Sequence, residues 1–297
     1  VPVLSGQLQG EPGRRGGPRY LAVGHVTVDV LADGERRPGG TALYSALQAA
    51  RLGLSATIVT RGSEQEIAAM LAPFEAELEL IVQPGEATTT LATTGMGEER
   101  RQCLQSWAGP VALDRLPQAE ILHLAPVADE LAGRAQGEWP FVGLTPQGLA
   151  RRWEEPGGEI AMQAPDAGLV AIGGRCDAIV LSEQERTLCA ALLERAIAGG
   201  ATVAVTAGPG STEVLAAKGQ TWELPAEPVA DPVDDLGAGD VFAAAFFIRL
   251  AGGDEPLAAA RIGHAAAALR MLGVGAGAIA TAAEIESWDA SPAQPPA

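Results

Sequence analysis

The sequence predicts an α/β protein, with a mainly parallel central sheet flanked by helices and a small antiparallel β lid. Three observations lead there. From Arg19 onward, short apolar runs alternate with helix-forming stretches, the rhythm of parallel strands joined by crossover helices. Hydrophobic residues make up 47% of the chain and aromatic ones only 4%, so the core is Ala, Leu, Val and Ile, which suits helices packed closely on a sheet. Between about residues 85 and 110 the rhythm gives way to two β-prone segments around a Gly-rich turn, the pattern of an inserted hairpin.

Along the chain, Tyr20 to Val30 reads as the first strand and Gly40 to Leu52 as a helix in which small and apolar residues recur at helical spacing. Ala56 to Thr60 is the next strand. Ala87 to Thr94 and Arg101 to Trp107 form the hairpin, either a lid or a surface ribbon. Ile121 to Leu124, Phe141 to Leu144, Ala178 to Leu181 and Thr202 to Thr206 are further short strands. A second hairpin pairs Thr212 to Ala216 with Thr221 to Leu224 around Lys218 and Gly219. Val241 to Leu250 and Ala258 to Leu272 are apolar helices. Residues 1–18, rich in Gly and Pro, read as a loose leader, 19–288 as one domain and 289–297 as a loose tail.

Composition removes several function classes. A net charge of -17 repels phosphate backbones and anionic membranes, so neither nucleic acid nor a membrane surface is an expected partner. No apolar run approaches the roughly 18 residues of a membrane span, and the leader lacks the apolar stretch of a signal peptide. Cys103, Cys176 and Cys189 are odd in number and scattered, which makes a reducing cytoplasm the expected compartment. Lys218 is the only lysine and falls in a turn, leaving neither a Walker A loop nor a Schiff-base lysine. His25, His123 and His264 lack metal-ligand spacing, and no GxSxG elbow occurs.

The most informative stretch is Asp234-Asp235-Leu236-Gly237-Ala238-Gly239-Asp240-Val241-Phe242. Small residues and an acid stand where a long apolar helix begins. A helix entrance carries unpaired N–H groups and a positive dipole end, and glycines let an anionic oxygen approach them. Gly237, Ala238 and Gly239 are thus a candidate anion hole, with Asp240 beside it as proton acceptor. Asp240 is alternatively an ordinary first-turn acid. Phosphoryl transfer without a P-loop fits this pattern, because it needs an anion cradle, a base and an aligned hydroxyl.

With its flanks, DDLGAGDVF resembles the C-terminal signature of the ribokinase-like (PfkB) carbohydrate kinases, usually DTTGAGDxF. Five further features follow that family's order. Gly24 to Asp29 resembles its first-strand motif, implying that Asp29 holds acceptor hydroxyls. Gly39-Gly40 resembles its GG substrate motif, and the hairpin stands where the family carries its lid. Ser182-Glu183-Gln184-Glu185 sits at its NxxE, tied to magnesium and phosphate, and Thr206-Ala207-Gly208 at its nucleotide loop. The resemblance implies ATP and Mg2+ as cofactors, with Glu185 reaching the metal through water and Ser182, Thr206, Gly208 and His264 near the nucleotide. It also implies a monovalent cation such as K+ at the loop containing Asp234. Oligomeric state is left open by the sequence, although an exposed lid sheet can form a homodimer by packing on its twin.

The departures bear on substrate. Tyr44 replaces an asparagine common after the GG pair, Ser182 replaces the NxxE asparagine, and Asp235 and Leu236 replace two threonines. Gly143 to Arg151 resembles the DxQGxxR stretch of a branch that includes inositol kinases, with Thr145 in place of the acid; this brings Gln147 to the acceptor and points to a cyclic polyol or unusual sugar. Pro146 and Gly148 alternatively only shape a turn. The sequence therefore predicts an ATP-dependent sugar or polyol kinase. The alternative is a catalytically impaired relative that binds nucleotide or polyol in a regulatory role.

Overall fold

The computed structural model describes residues 19–289 apart from 133–134, 156, 217–218 and 227–228; the leader, Lys218 and tail residues 290–297 lie outside the described residues. A nine-stranded sheet forms the centre. Its parallel part runs in the order Thr202–Thr206, Ala178–Ser182, Phe141–Leu144, Ile121–Leu124, Arg19–Val23, Ser55–Gly62, Leu78–Pro84. The hairpin Ser211–Ala216 and Gln220–Pro225 extends the Thr202 edge antiparallel.

Alternation along the strands splits the core in two, because successive side chains leave a strand on opposite faces. Tyr20 and Ala22 join one cluster with the helices Thr41–Arg51, Ala238–Ala251 and Pro256–Met271. Leu21 and Val23 join the other, with Leu192, Leu193 and Ala196 of the Ala190–Ala198 helix. Both faces being covered, these strands read as continuous apolar runs.

The stretch read as one strand, Tyr20 to Val30, is two. Arg19–Val23 lies in the central sheet, while Thr27–Val30 lies in a separate four-stranded sheet ordered Arg36–Gly39, Thr27–Val30, Thr90–Thr94, Arg101–Ser106. Polar side chains take over the amides at the break. The His25 N–H donates to Glu130 Oε1 at 2.8 Å and the Val26 N–H to Thr60 Oγ1 at 2.9 Å. Glu130 is fully buried and also accepts from the Val127 and Ala128 amides, pinning the exit of the Ile121 strand beside that of Arg19–Val23. These neighbouring strands continue to opposite sides of the sheet, and ligand crevices form outside such switch points.

The lid hairpin pairs Thr90–Thr94 with Arg101–Ser106 antiparallel, and Thr27–Val30 joins it in parallel. Its outer strand is not an open edge. The Leu104 N–H donates to Gly158 O at 3.0 Å and the Ile160 N–H to Gln102 O at 2.9 Å.

Phe247 shows how the helix beneath the site is seated. It is fully buried, edge-on to His123 at 5.0 Å and 6.1 Å from Phe141, and a Cβ on Gly143 would come within 2.4 Å of it. Phe247→Ala should cost ~3–5 kcal/mol, read as a lowered midpoint in urea unfolding.

Candidate active site

The Ala238–Ala251 helix opens on Gly237, which has φ 81° in the left-handed region. A side chain there would be strained and would also collide: an added Cβ would lie 2.3 Å from the Tyr44 ring. With the ring packed against it, Gly237 turns the first amides of the helix outward. The Ala238 N–H makes a long bond to the Asp235 carbonyl at 3.3 Å, so this amide of the expected anion hole is partly spent. The amides of Gly237, Gly239 and Asp240 have no backbone partner among the described residues.

Those amides border a polar cleft of about 120 Å³, lined on the helix side by Gly237, Gly239 and Asp240. Asp29, Gly40, Tyr44 and Gln147 line it as well. Sequence-distant residues expected at an acceptor site thus share one cavity. Asp29 is 5% exposed and accepts from Thr27 Oγ1 at 2.9 Å. Gly39 makes room for it, since a Cβ at 39 would stand 2.1 Å from Asp29 Oδ2. Burial raises Asp29 to about 6, opposed by the Thr27 bond and by Arg151 and Arg100.

Asp240 is half-buried and is likewise raised to about 6. Burial is the chief cause, with the Thr41 hydroxyl, Arg151 and Arg100 pulling down and Glu185 pushing up. A carboxylate at this value is ionised at neutral pH and a stronger base than an exposed one. Behind it, Ser45 Oγ donates to the Asp240 carbonyl at 3.2 Å. A buried polar chain lies beside it: the Tyr20 hydroxyl, on which Ser45 acts electrostatically, bonds His123 Nδ1 at 2.7 Å, and His123 Nε2 meets Thr145 Oγ1 at 3.0 Å. Thr145 directly precedes the Pro146–Ala150 turn that carries Gln147.

Two arginines in the cleft were not assigned from sequence. Arg151, a buried residue that lines the cleft, donates to Val127 O at 3.0 Å and Gln102 Oε1 at 2.7 Å, and no ion pair reaches it among the described residues. Burial draws its pKa down, opposed by Glu185, Asp240 and Asp29. Its four-residue spacing from Gln147, in the stretch already singled out, was the available signal. Arg100 comes from the lid turn and pairs with Asp235, which also accepts from the Gly97 N–H at 2.8 Å. No pattern in the sequence marks Arg100.

The residues expected at the nucleotide lie elsewhere. Ser182 and Thr206 are register partners at the carboxyl ends of adjacent parallel strands, Thr206 is paired in turn with Thr212 at the amino end of the antiparallel neighbour, and Thr212 Oγ1 meets His264 Nε2 at 2.8 Å. His264 sits 5.5 Å from Phe242, its pKa drawn down by burial against the opposing pull of the Pro225 backbone. Gly208 is exposed, with φ 56° in the turn after Thr206. None of these lines the cleft. Glu185 is 5% exposed and turns back on Ser182, accepting from its N–H at 2.8 Å and its hydroxyl at 2.9 Å. Ser182 is thereby a helix cap. No group of three or more His, Cys, Asp or Glu side chains that could hold a metal occurs among the described residues. No helix among them is long and apolar enough to cross a membrane.

The profile of the pfkB family carbohydrate kinases matches residues 169–283, the segment that contains the Asp240 helix entrance. Solved structures extend the likeness over the whole fold. A pyrophosphate-dependent kinase in the ribokinase family, complexed with a pyrophosphate analogue and myo-inositol, is 18% identical with a TM-score of 0.73, covering 86% of this chain and 96% of that one. The chain has the ribokinase-like fold. A Methanocaldococcus jannaschii nucleoside kinase (16% identity, TM-score 0.72) covers 92% of this ribokinase-like chain and 99% of its own. Arabidopsis thaliana ribokinase, complexed with ribose and ATP (15%, 0.68), covers 93% and 100%. No protein of curated function matches the sequence.

Gly237→Ala should cost more than the ~1–2 kcal/mol of a left-handed residue, since the methyl meets the Tyr44 ring. Gly239→Ala, where an added Cβ meets nothing within 4 Å, should cost far less in the same denaturation experiment.

Proposed function

We propose that this chain transfers the γ-phosphoryl group of ATP to a hydroxyl of a sugar or cyclic polyol. The observation that carries this reading is the single cleft in which a half-buried carboxylate, unspent helix-entrance amides and a second carboxylate meet. Asp29 and Gln147 grip the acceptor, with Gly39 and Gly40 shaping the wall. Asp240 takes the proton of the attacking hydroxyl. The amides of Gly237, Gly239 and Asp240 receive the migrating group, and Arg151, a buried cation that no ion pair reaches among the described residues, adds charge of the right sign.

Thr206, Gly208, Ser182 and His264 line the donor side in this reading. Magnesium, when bound, would neutralise donor phosphate charge, with Glu185 holding one of its waters; Mg2+ keeps several waters and needs only one or two carboxylates besides phosphates. A dimer through the lid would use sheet faces, because residues 157–160 already cover the Arg101–Ser106 edge. The binding-only alternative draws on Tyr44, Ser182 and Leu236, yet none of these displaces Asp240 from the cleft.

The deciding assay pairs ATP or pyrophosphate with ribose, inositols and nucleosides as acceptors; thermal shifts without turnover under every pairing would leave a binding protein. Asp240→Asn should keep donor affinity and lower turnover at least about 10²-fold. Because the Asp240 pKa is raised to about 6, the base form is lost as pH falls through that value. The kcat/KM of the wild type should therefore drop on the acid side with an inflection near there, and a flat profile down to about pH 5 would remove Asp240 from the proton transfer.

A further inference from the structure

The family resemblance implies a monovalent cation at the loop containing Asp234. Such an ion is held by oxygens, and the available ones here are backbone carbonyls. Two of those carbonyls, of Asp234 and Gly273, already accept from one side chain. Arg270, in the last turn of the Pro256–Met271 helix and fully buried, donates from Nη1 to Gly273 O at 2.9 Å and to Asp234 O at 3.3 Å. Its Nη2 donates to Asp234 Oδ2 at 3.0 Å. The Asp234 carboxylate also accepts from the Leu236 N–H at 3.0 Å and the Gly275 N–H at 2.9 Å, with Arg37 3.7 Å away. The residues present do not fit a mobile cation at this point.

The arrangement reaches the cleft along a second route. The Arg270 guanidinium carbon lies 5.2 Å from the centroid of the Tyr44 ring, and the same ring packs against Gly237. Arg270 therefore ties Asp234, three residues before the helix entrance, to the ring behind that entrance. Burial would raise Asp234, yet the Gly275 and Leu236 amides and Arg270 hold it below the usual carboxylate value, so it stays charged.

We propose that Arg270 is a built-in cation and a positioning residue: its guanidinium braces the loop that presents the anion-hole amides, and phosphoryl transfer by this chain needs no monovalent cation. The proposal rests on the kinase reading above, and the experiment separates their failures.

Wild-type turnover and melting temperature are measured in matched K+, Na+ and tetramethylammonium chlorides. Both should be indifferent to the cation; a K+-specific rise in either would overturn the proposal while leaving the kinase reading intact. Absence of turnover with every donor and acceptor would instead sink the kinase reading, and the melting series would still judge the brace. Arg270→Lys keeps the charge but cannot make the planar, multi-point contact. It should fold, keep KM for both substrates within a few-fold and lose about 10²-fold in kcat, the scale of an ångström-sized misplacement at the reacting centre. Arg270→Ala opens a guanidinium-sized vacancy, and added guanidinium at sub-denaturing concentration should restore part of kcat. A rise in KM with kcat unchanged, or a folded Ala variant that guanidinium does not rescue, would overturn the brace. If the Ala variant does not fold, the Lys variant and the cation series decide.

Discussion

The packing of Gly237 against the Tyr44 ring is the constraint on which the site depends. A helix has unsatisfied amides at its entrance in any case, but they serve a ligand only if the preceding loop leaves them outward. Here the loop turns at a left-handed residue with an aromatic ring against it, so the chain cannot continue as helix toward Asp234. Gly237, Gly239 and Asp240 are left with N–H groups that have no backbone partner among the described residues, and the Asp240 side chain lines the same cavity. Tyr44 thus lines the cleft and also forms the surface that shapes the entrance.

The cavity is held by groups of two kinds. Asp29 and Asp240 are raised toward neutrality by burial. The chain of hydrogen bonds beneath them behaves otherwise: burial draws His123 down to about 3 and raises Tyr20, so both remain neutral where the carboxylates titrate. The support that runs from beside the Asp240 backbone to the turn bearing Gln147 keeps one protonation state while the acids above it change theirs. Buried polar groups fully satisfied by one another specify a single arrangement of the elements that carry them.

Much of this was legible in the sequence. Strand and helix alternation follows from apolar runs between glycine turns, and the helix beginning at Ala238 was visible because glycine, acid and apolar stretch occur in that order. Asp29, Gly40, Gln147 and Asp240 reach one cleft because strand ends and the turns after them converge at the switch point of the sheet. The break at Gly24 was not legible, since Tyr20 to Val30 keeps a β-compatible composition and the interruption comes from Glu130 and Thr60, distant residues that capture the amides. Arg100 and Arg270 escaped for a related reason. A surface arginine and a buried, multiply bonded one look alike until partners such as Asp235, Asp234 and Gly273 are brought beside them.

The lid is fastened at its tip: Gly97 and Arg100 grip Asp235, on the loop that leads into the Asp240 helix. Under the kinase reading proposed above, a lid latched in this way cannot swing for the acceptor alone, because releasing it frees a carboxylate two residues from Gly237. In that reading, admission and escape of both reactants share one electrostatic clasp. Its side chains are about one-quarter exposed, so dissolved salt weakens it only partly, and in that reading the opening of the cleft acquires a dependence on ionic strength.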